Sequence, residues 1–345
     1  MIRKNDKKFF LLSIFFILFF IFISYLNLLF YSDHSELIKS FRSDGVKCIN
    51  LSQDSPRIEE KIPNEESKSE FEAFKLLLRD ILEASDEQLL IKKETIIKTL
   101  YFMLKEVDEE DPRLVEFVKQ LIEPPSAQKL NLTEAKRKDF SQLGQSKLID
   151  NLLGSKRNGF FIEAGGFDGE FGSNTLFFEI ERDWTGILIE PIPKNYQLIK
   201  TKNRKVHALN ACIANKRPIV AKFRVLHVLS GRLSEMSDSH KHRIDSEGMS
   251  GNKRVDKIAY IPCFSLVTIL KAIGVDKVDY FSLDVEGGEW DIIKSLDLGN
   301  RLDVKTFSIE HNGDQSAKNN FKDYFNKFGY SLAHEDGQDI YFYKK

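Results

Sequence analysis

Residues 160–190 read FFIEAGGFDGEFGSNTLFFEIERDWTGILIE, and the order of apolar runs and glycines in them indicates the architecture. A short apolar run, Phe160–Ala164, leads into a glycine-rich loop. A helix-compatible segment over 175–181 follows, and then a second apolar run over 186–190, which Pro191 ends. Strand, loop, helix and strand in this order are typical of a unit with parallel strands.

The same alternation continues toward the C-terminus. Further strands are predicted over 206–213, 278–284 and 306–310. The last two apolar runs, 330–333 and 340–343, flank an Asp-Gly pair and predict a terminal antiparallel hairpin. We therefore predict an α/β domain with a mostly parallel sheet.

Acidic residues stand at the ends of four predicted strands, namely Glu163, Glu190, Asp284 and Glu310. A single acid at such a position is often only a helix cap or a turn former. Ligands of parallel sheets bind outside the carboxyl ends of the strands, however. Four acids at that edge repel one another unless a cationic or hydroxyl-rich ligand compensates them.

The glycine loop is neither the dinucleotide fingerprint G-x-G-x-x-G nor a P-loop. Gly165 and Gly169 would let the backbone approach a ligand closely. Their neighbours Glu163 and Asp168 disfavour a pyrophosphate and suit a ligand that carries ammonium and sulfonium groups. S-adenosylmethionine is such a ligand, and Glu190, at the end of the next strand, would bind its ribose hydroxyls.

An uncharged, strongly apolar run occupies residues 9–32, and its 24 residues are enough for one membrane-spanning helix. Arg3, Lys4, Lys7 and Lys8 precede it, so the positive-inside rule predicts a cytoplasmic N-terminus. A buried core helix would need polar positions on one face, and this run has almost none. The chain after residue 32 is thus predicted to face the lumen of the secretory pathway or the cell exterior.

The predicted organisation of the chain has six parts. They are a cytoplasmic tail (1–8), a signal anchor (9–32), a polar tether (33–68), a helical stem (69–123), a linker with two prolines (124–140) and the α/β domain (141–345). Apolar residues at helical spacing predict the stem, for which packing or partner binding is the expected role.

Charge and cysteine content narrow the class of protein. The chain has 51 basic and 52 acidic residues, so no nucleic-acid partner is expected. Cys212 and Cys263 lie in apolar runs and are predicted to be buried, free thiols, while Cys48 lies in the tether. Asn50 and Asn131 begin N-glycosylation sequons, which matter only if they face the lumen.

Five motifs in order resemble the FkbM-type methyltransferases over about 141–343. They are FFIEAGGFDGEFGSNTLFFE, WTGILIEPIPKNY, IPCFSLVTIL, VDYFSLDVEGGEWDIIKSL and FSIEHN. The phrases SNTLFFE and WTGILIEP, together with the predicted N-terminal anchor, are especially similar to the animal branch that includes the Star proteins. The resemblance implies a Rossmann-like class I methyltransferase fold that binds S-adenosylmethionine and methylates a hydroxyl oxygen.

The resemblance also implies roles for individual residues. Glu163, Gly165 and Gly169 match the cofactor-loop motif, Glu190 matches the ribose-binding acid, and Asn210 falls where the third strand of the family reaches the adenine. Many family members carry Asp where this chain has the longer Glu163, which changes reach and not charge.

Asp284 and Glu286 match the D-x-E-G signature of the family. Methylation of an aliphatic alcohol needs a general base, and Asp284, Glu286 and His311 are the candidates. His311 could equally be a hydrogen-bonded histidine that fixes a loop. Asp284 could instead hold the amino group of the cofactor or a substrate hydroxyl.

Asp238, His240 and His242 form D-x-H-x-H within the polar stretch 234–256. No third strong ligand lies at a metal-motif spacing, so a solvated loop without a metal is predicted there.

Two functions are consistent with these features. The first is a membrane-anchored S-adenosylmethionine-dependent O-methyltransferase, whose acceptor is a hydroxyl compound or glycan, in the endoplasmic reticulum, Golgi, endosomes or plasma membrane. The second, implied by the Star-like resemblance, is an escort of membrane cargo proteins in vesicle traffic, with little or no catalysis.

Overall fold

The computed structural model describes residues 76–77, 80–81, 91–226, 229–236, 238–250, 253–254, 257–299 and 301–344. The named helices are α1 (Lys93–Leu104), α2 (Pro112–Leu121), α3 (Gln145–Leu152), α4 (Leu176–Arg182), α5 (Pro193–Thr201), α6 (Asp238–Glu247), α7 (Leu266–Ile273), α8 (Glu289–Ser295) and α9 (Gln315–Lys327). The strands are β1 (Ile122–Glu123), β2 (Phe160–Ala164), β3 (Thr185–Ile189), β4 (His207–Leu209), β5 (Cys212–Ala214), β6 (Ile219–Val225), β7 (Gly231–Arg232), β8 (Met249–Ser250), β9 (Lys253–Arg254), β10 (Lys257–Ser265), β11 (Lys277–Leu283), β12 (Asp303–Glu310), β13 (Tyr330–Glu335) and β14 (Asp339–Lys344).

The main sheet has eight strands in the order β1-β4-β3-β2-β11-β12-β14-β13. The five strands from β4 to β12 are mutually parallel, whereas β14 runs antiparallel to both β12 and β13. The predicted mixed α/β architecture and the terminal hairpin are confirmed. The chain first builds outward from β2 to β4 and then returns to β11 on the other side of β2. The strand order thus reverses between β2 and β11, which is where open parallel sheets bind ligands.

Helices cover both faces of this sheet. One face packs against α2, α7, α8 and α9 through a large apolar cluster that includes Phe264, Phe281 and Phe307. The other face packs Phe161 and Tyr280 against residues of α3 to α5. Strands buried on both faces explain the nearly continuous apolar runs of the sequence.

Local signals define the ends of several helices. The Ser265 hydroxyl accepts the amide hydrogen of Thr268 at the start of α7, and Gly274 ends α7 in the left-handed conformation. Asp314 accepts the amides of Ser316 and Ala317 at the start of α9.

A smaller sheet, in the order β5-β10-β6-β7, is inserted between β4 and α7. The single strand predicted over 206–213 is in fact two strands in two different sheets, with Asn210 and Ala211 between them. Asn210 is the polar residue at the break, but a single polar residue within an apolar run does not by itself indicate a change of sheet.

Cys212 and Cys263 are joined by a disulfide, which corrects the prediction of two free thiols. Both are buried, as predicted. They are register partners on the neighbouring strands β5 and β10, with Cα atoms 4.3 Å apart. This proximity follows from the pairing of strands that are distant in sequence.

The predicted helical stem is part of the packed domain. Phe102 of α1 and Phe117 of α2 belong to the main apolar cluster, and β1 pairs with β4 at the edge of the main sheet. Glu66–Lys345 form one compact unit, so the predicted boundary at residue 141 is not a boundary of packing.

No helix in the described ranges is long and apolar enough to cross a membrane. The predicted tail, signal anchor and tether lie outside the described residues, as do Cys48 and Asn50.

Candidate active site

A cleft opens at the carboxyl ends of β3, β2 and β11, where the strand order reverses. Its wall includes Glu163, Gly165, Glu190, Asp284 and Glu286, so most of the predicted site residues come together there. The cleft encloses about 1040 Å³ of space, counting open solvent at its mouth.

The glycine loop touches the neighbouring strand end. A Cβ atom on Gly165 would lie 1.7 Å from the carbonyl oxygen of Asp284, and the φ of Gly165 is +91°. Only glycine fits this contact. Gly169 also has a positive φ, +80°, with ordinary packing distances around it. Gly165 thus meets a steric requirement, and Gly169 meets a conformational one.

Glu163 anchors the end of the glycine loop. Its carboxylate accepts the hydroxyl hydrogens of Ser173 at 2.9 Å and Thr175 at 2.6 Å, and the amide hydrogen of Asn174 at 2.7 Å. Burial raises the pKa of Glu163, while Arg204 nearby favours the ionised form. Glu163 therefore forms its hydrogen bonds mainly with other residues of the protein, even though it borders the cleft.

Arg204 extends this buried network. Its Nε donates to Glu179 at 2.5 Å, and its guanidinium also donates to the carbonyl of Gly169. The side chains of Arg204 and Glu179 are 2% and 3% exposed. A fully paired buried network of this kind rigidifies the loop that it holds.

Glu190 stands at the end of β3 with both carboxylate oxygens partly occupied. One accepts the amide hydrogen of Phe167 at 2.9 Å, and the other accepts that of Ile192 at 2.9 Å and the side-chain amide of Asn195 at 3.3 Å. Burial raises the pKa of Glu190 to about 7. The oxygen that accepts from Phe167 retains lone-pair capacity for a ligand hydroxyl.

Asn210 supports Glu190 from behind. Its side-chain amide donates to the carbonyls of Glu190 at 2.8 Å and Pro191 at 3.0 Å. Asn210 is not among the residues that line the cleft. Its geometry is that of a residue that fixes the turn after β3.

Three carboxylates meet beyond β11 and β12. Oxygen atoms of Asp284, Glu286 and Glu310 all lie within 4.8 Å of one another. Burial and the Glu286 carboxylate raise the pKa of Asp284, and burial and Asp284 raise that of Glu310. Two buried carboxyl groups this close repel each other when both are ionised, so a protonated carboxyl is favoured in this pair.

This spacing could accommodate a metal ion, but acidic groups at such distances also occur without one. The cluster by itself identifies no metal site. Glu286 lines the cleft, as Asp284 does and Glu310 does not, and it alone of the three has a left-handed φ, +58°. Burial raises its pKa, and Arg243 opposes that rise.

His311 lies outside the cleft wall. Its Nδ1 accepts the amide hydrogen of Gly313 at 2.9 Å, and within the described part of the chain its buried Nε2 has no partner. This geometry matches the alternative in which His311 fixes a loop.

The stretch predicted as a solvated loop is instead folded as helix α6 and the β8–β9 pair. His240 is 8% exposed, bonds the carbonyl of Leu229 through Nε2 at 2.7 Å and places Nδ1 3.8 Å from Glu286. Asp238 and His242 are exposed, so the D-x-H-x-H residues do not converge. Because the stretch is polar, its sequence does not indicate that His240 is buried.

Three further polar residues of the cleft have no strong signal in the sequence: Asn174, Arg232 and Glu235. Asn174 donates to the Ser282 hydroxyl at 3.0 Å, and its buried Oδ1 lacks a partner among the described residues. Arg232 and Glu235 form an ion pair on the inserted sheet. Asn174 lies within the SNTLFFE phrase, whereas Arg232 and Glu235 stand in a stretch without a recognisable motif.

The chain is similar to solved methyltransferase structures, though at low TM-scores. TrmK from M. capricolum in complex with S-adenosyl-homocysteine is 8% identical, with 59% of this chain and 68% of that chain covered and a TM-score of 0.30. The METTL16 MTase domain is 10% identical, with 59% and 66% covered and a TM-score of 0.33. No curated protein matches the chain significantly.

The family comparison covers the segment that contains the cleft. The matched segment begins in β2 at the end of the glycine-loop strand and ends in β13, so it includes the wall acids Glu163, Glu190, Asp284 and Glu286. Residues 163–332 match the family model of the methyltransferase FkbM domain.

Proposed function

We propose that this chain is an S-adenosylmethionine-dependent O-methyltransferase that acts on a hydroxyl group of a small molecule or glycan. The FkbM match supports S-adenosylmethionine-dependent methyl transfer. The single observation that carries the proposal is the cleft in which Gly165 contacts the Asp284 backbone while Glu190 ends the next strand.

The residues of the cleft fit this cofactor. Gly165 leaves no room for a side chain, so the backbone itself borders the ligand. Glu190 retains acceptor capacity for a ribose hydroxyl, and the buried side-chain oxygen of Asn174 lacks a partner among the described residues. The surrounding carboxylates favour a ligand that carries ammonium and sulfonium groups.

S-adenosylmethionine supplies an activated methyl group when it is bound. The residues of the chain then have to bind, orient and deprotonate the acceptor, and exclude water. Glu286 is the best placed of the three predicted bases, because it lines the cleft, which His311 does not, and because Arg243 favours its ionised form. The raised pKa values of Asp284 and Glu310 favour a protonated carboxyl in that pair, which suits hydrogen bonding to the acceptor or the cofactor.

The proposal includes a membrane anchor over 9–32 and a lumenal or extracellular domain. The charge distribution around that run supports this orientation. The buried Cys212–Cys263 disulfide supports it as well, because disulfides persist mainly in oxidising compartments.

The first experiment is isothermal titration of the full-length chain in detergent with S-adenosylhomocysteine. Glu190→Gln should weaken binding by about tenfold or more, since it removes the charge from the carboxylate that accepts a ribose hydroxyl hydrogen. Glu116→Gln is the matched control, because Glu116 is exposed on α2 away from the cleft.

The second experiment follows labelled methyl from S-adenosylmethionine into glycans and small molecules extracted from the same membranes. An alkali-stable methyl ether identifies a hydroxyl acceptor, whereas an alkali-labile ester identifies a carboxylate. Glu286→Gln should lower transfer by about 10²-fold, the scale of a general base. Cofactor binding without any transfer, together with intact cargo transport by Glu286→Gln, would instead favour the escort function.

A further inference from the structure

The inserted sheet forms one wall of the cleft. Phe223 of β6, Arg232 of β7 and Ile213 of β5 all line it. Ile213 and Phe223 are 2% and 3% exposed, and Ile192 from the turn after β3 adds a third buried apolar side chain. This wall therefore combines flat apolar surface with one charged group.

Two of the three nitrogens of the Arg232 guanidinium are hydrogen-bonded within the protein. One terminal nitrogen donates to the carbonyl of Ile213 at 2.6 Å, and the other pairs with Glu235. The side chain is 13% exposed. Its Nε is buried and has no hydrogen-bond partner in the described part of the chain. The terminal nitrogen that pairs with Glu235 carries a second N–H, so the guanidinium keeps a donor for a ligand.

Glu235 completes the wall on the other side. A Cβ atom on Gly288 would lie 2.1 Å from a carboxylate oxygen of Glu235, and one on Gly287 would lie 3.0 Å from its backbone carbonyl. The Arg232–Glu235 pair thus bridges β5 and the loop after β11. Its side chains present an N–H donor and a carboxylate acceptor next to each other at the cleft.

The position of this pair relative to Glu190 suggests what it meets. Glu190 ends β3, and the next two strands along the chain, β4 and β5, lead directly to the carbonyl of Ile213 that Arg232 binds. Ile192, whose amide hydrogen Glu190 accepts, lines the cleft together with Ile213 and Phe223 of the inserted sheet. A nucleoside with its ribose on Glu190 would direct its base toward this wall.

We propose that Arg232 and Glu235 read the edge of the cofactor's adenine, with a terminal N–H of Arg232 donating to a ring nitrogen and the Glu235 carboxylate accepting from the 6-amino group. This inference rests on the proposed function. Each edge of adenine that carries the amino group places a ring-nitrogen acceptor beside that donor. An arginine donor beside a carboxylate acceptor is complementary to this pattern.

The inference makes hypoxanthine a discriminating probe. It carries an oxygen in place of the 6-amino group, and that oxygen would face the Glu235 carboxylate. Isothermal titration of the full-length protein should therefore show S-adenosylhomocysteine binding about tenfold or more tightly than S-inosylhomocysteine, because an unpaired, repelled carboxylate is costly. This comparison uses the native protein and needs no substitution.

Two variants assign the discrimination to the pair. Arg232→Met should weaken the binding of S-adenosylhomocysteine by about tenfold. Glu235→Gln should reduce the preference for S-adenosylhomocysteine over S-inosylhomocysteine, because a carboxamide donates to the hypoxanthine oxygen and still accepts from Arg232. Arg224→Met is the matched control: Arg224 is a buried arginine of the adjacent strand β6 outside the cleft wall, and its loss should leave the preference unchanged.

The outcomes separate this inference from the function on which it rests. A preference that Glu235→Gln reduces and Arg224→Met does not supports the pair as the reader of the base. If the native protein binds S-adenosylhomocysteine and S-inosylhomocysteine equally well, the inference alone is overturned. The same holds if Arg232→Met and Glu235→Gln both retain the native preference. No binding of either compound by the native protein overturns the proposed function together with it.

Discussion

Glu190 concentrates the chemistry of the cleft in one carboxyl group. It is buried, three protein donors approach it, and burial raises its pKa to about 7. A carboxylate with that pKa changes charge in the range in which the protein would work. Ligand binding at Glu190 should therefore depend on pH.

We expect the affinity for S-adenosylhomocysteine to increase by about tenfold from about pH 6 to about pH 8. Below a pKa of about 7 the carboxyl group is protonated in the free protein, and ribose hydroxyls donate better to the ionised form, so binding releases a proton. Titration calorimetry in buffers of different ionisation enthalpy measures that release. Glu190→Gln should flatten the profile; an unchanged slope in that variant would assign the pH dependence to another group.

Gly165 and Gly274 separate steric from conformational demands on glycine. Both have a positive φ, but a Cβ on Gly165 meets the Asp284 carbonyl at 1.7 Å, while one on Gly274 meets nothing within 4 Å. Gly274→Ala should cost only the left-handed strain, about 1–2 kcal/mol. Gly165→Ala should cost more and should also lower S-adenosylhomocysteine affinity, as thermal unfolding and calorimetry on both variants can measure. Equal losses of stability with cofactor binding retained would mean that the Gly165 contact does not shape the cleft.

At the scale of elements, helix α2 is part of the core of the domain. Phe117 is 5% exposed and packs edge-on against Phe264 of β10, with ring centroids 6.0 Å apart. A separate stem would not make this contact.

Phe117→Ala should lower the free energy of unfolding by about 3–5 kcal/mol, the range for removing a buried aromatic ring. Leu104→Ala is the control, because Leu104 ends α1 with 45% of its surface exposed and should change stability by less than about 0.5 kcal/mol. Chemical denaturation followed by tryptophan fluorescence reports on Trp184 and Trp290, both in the domain. If Phe117→Ala leaves that transition in place, the helices do not stabilise the domain.

Sequence patterns predict these elements unevenly, and the difference has a physical cause. The strand over 160–164 and the terminal hairpin follow from local signals: apolar runs, glycines and an Asp-Gly turn. The split of 206–213, the disulfide and the fold of 234–256 depend on which distant strands become neighbours. No local pattern records that information.

The candidate site divides in the same way. Strand-end acids are visible in the sequence because parallel strands bring their carboxyl ends to one edge, and Glu163, Glu190, Asp284 and Glu286 do line one cleft. Arg232 and Glu235 reach the cleft only because β7 pairs with β6 in the inserted sheet. Asn210 and His311 lie near the edge yet outside the cleft wall, since strand position does not specify side-chain direction.

At the scale of the whole molecule, we expect the domain to face an oxidising compartment. In sealed membrane vesicles it should resist added protease until detergent is present, and Asn131, which is exposed, should be available for glycosylation. Under denaturing conditions Cys212 and Cys263 should react with a maleimide only after reduction, because they form a disulfide. Digestion of the domain in intact vesicles, or labelling of both thiols without reductant, would place it on the cytosolic side.

The central strand pair has a kinetic consequence. β2 and β11 are adjacent in the sheet, with Ala164 opposite Leu283, although the whole inserted sheet lies between them in the chain. Closing such a long loop is slow, and the contact of Gly165 with Asp284 cannot exist before it closes. The binding cleft is therefore expected to be completed late in folding, so a ligand that occupies it should retard unfolding of the finished protein while leaving the rate of its formation unchanged.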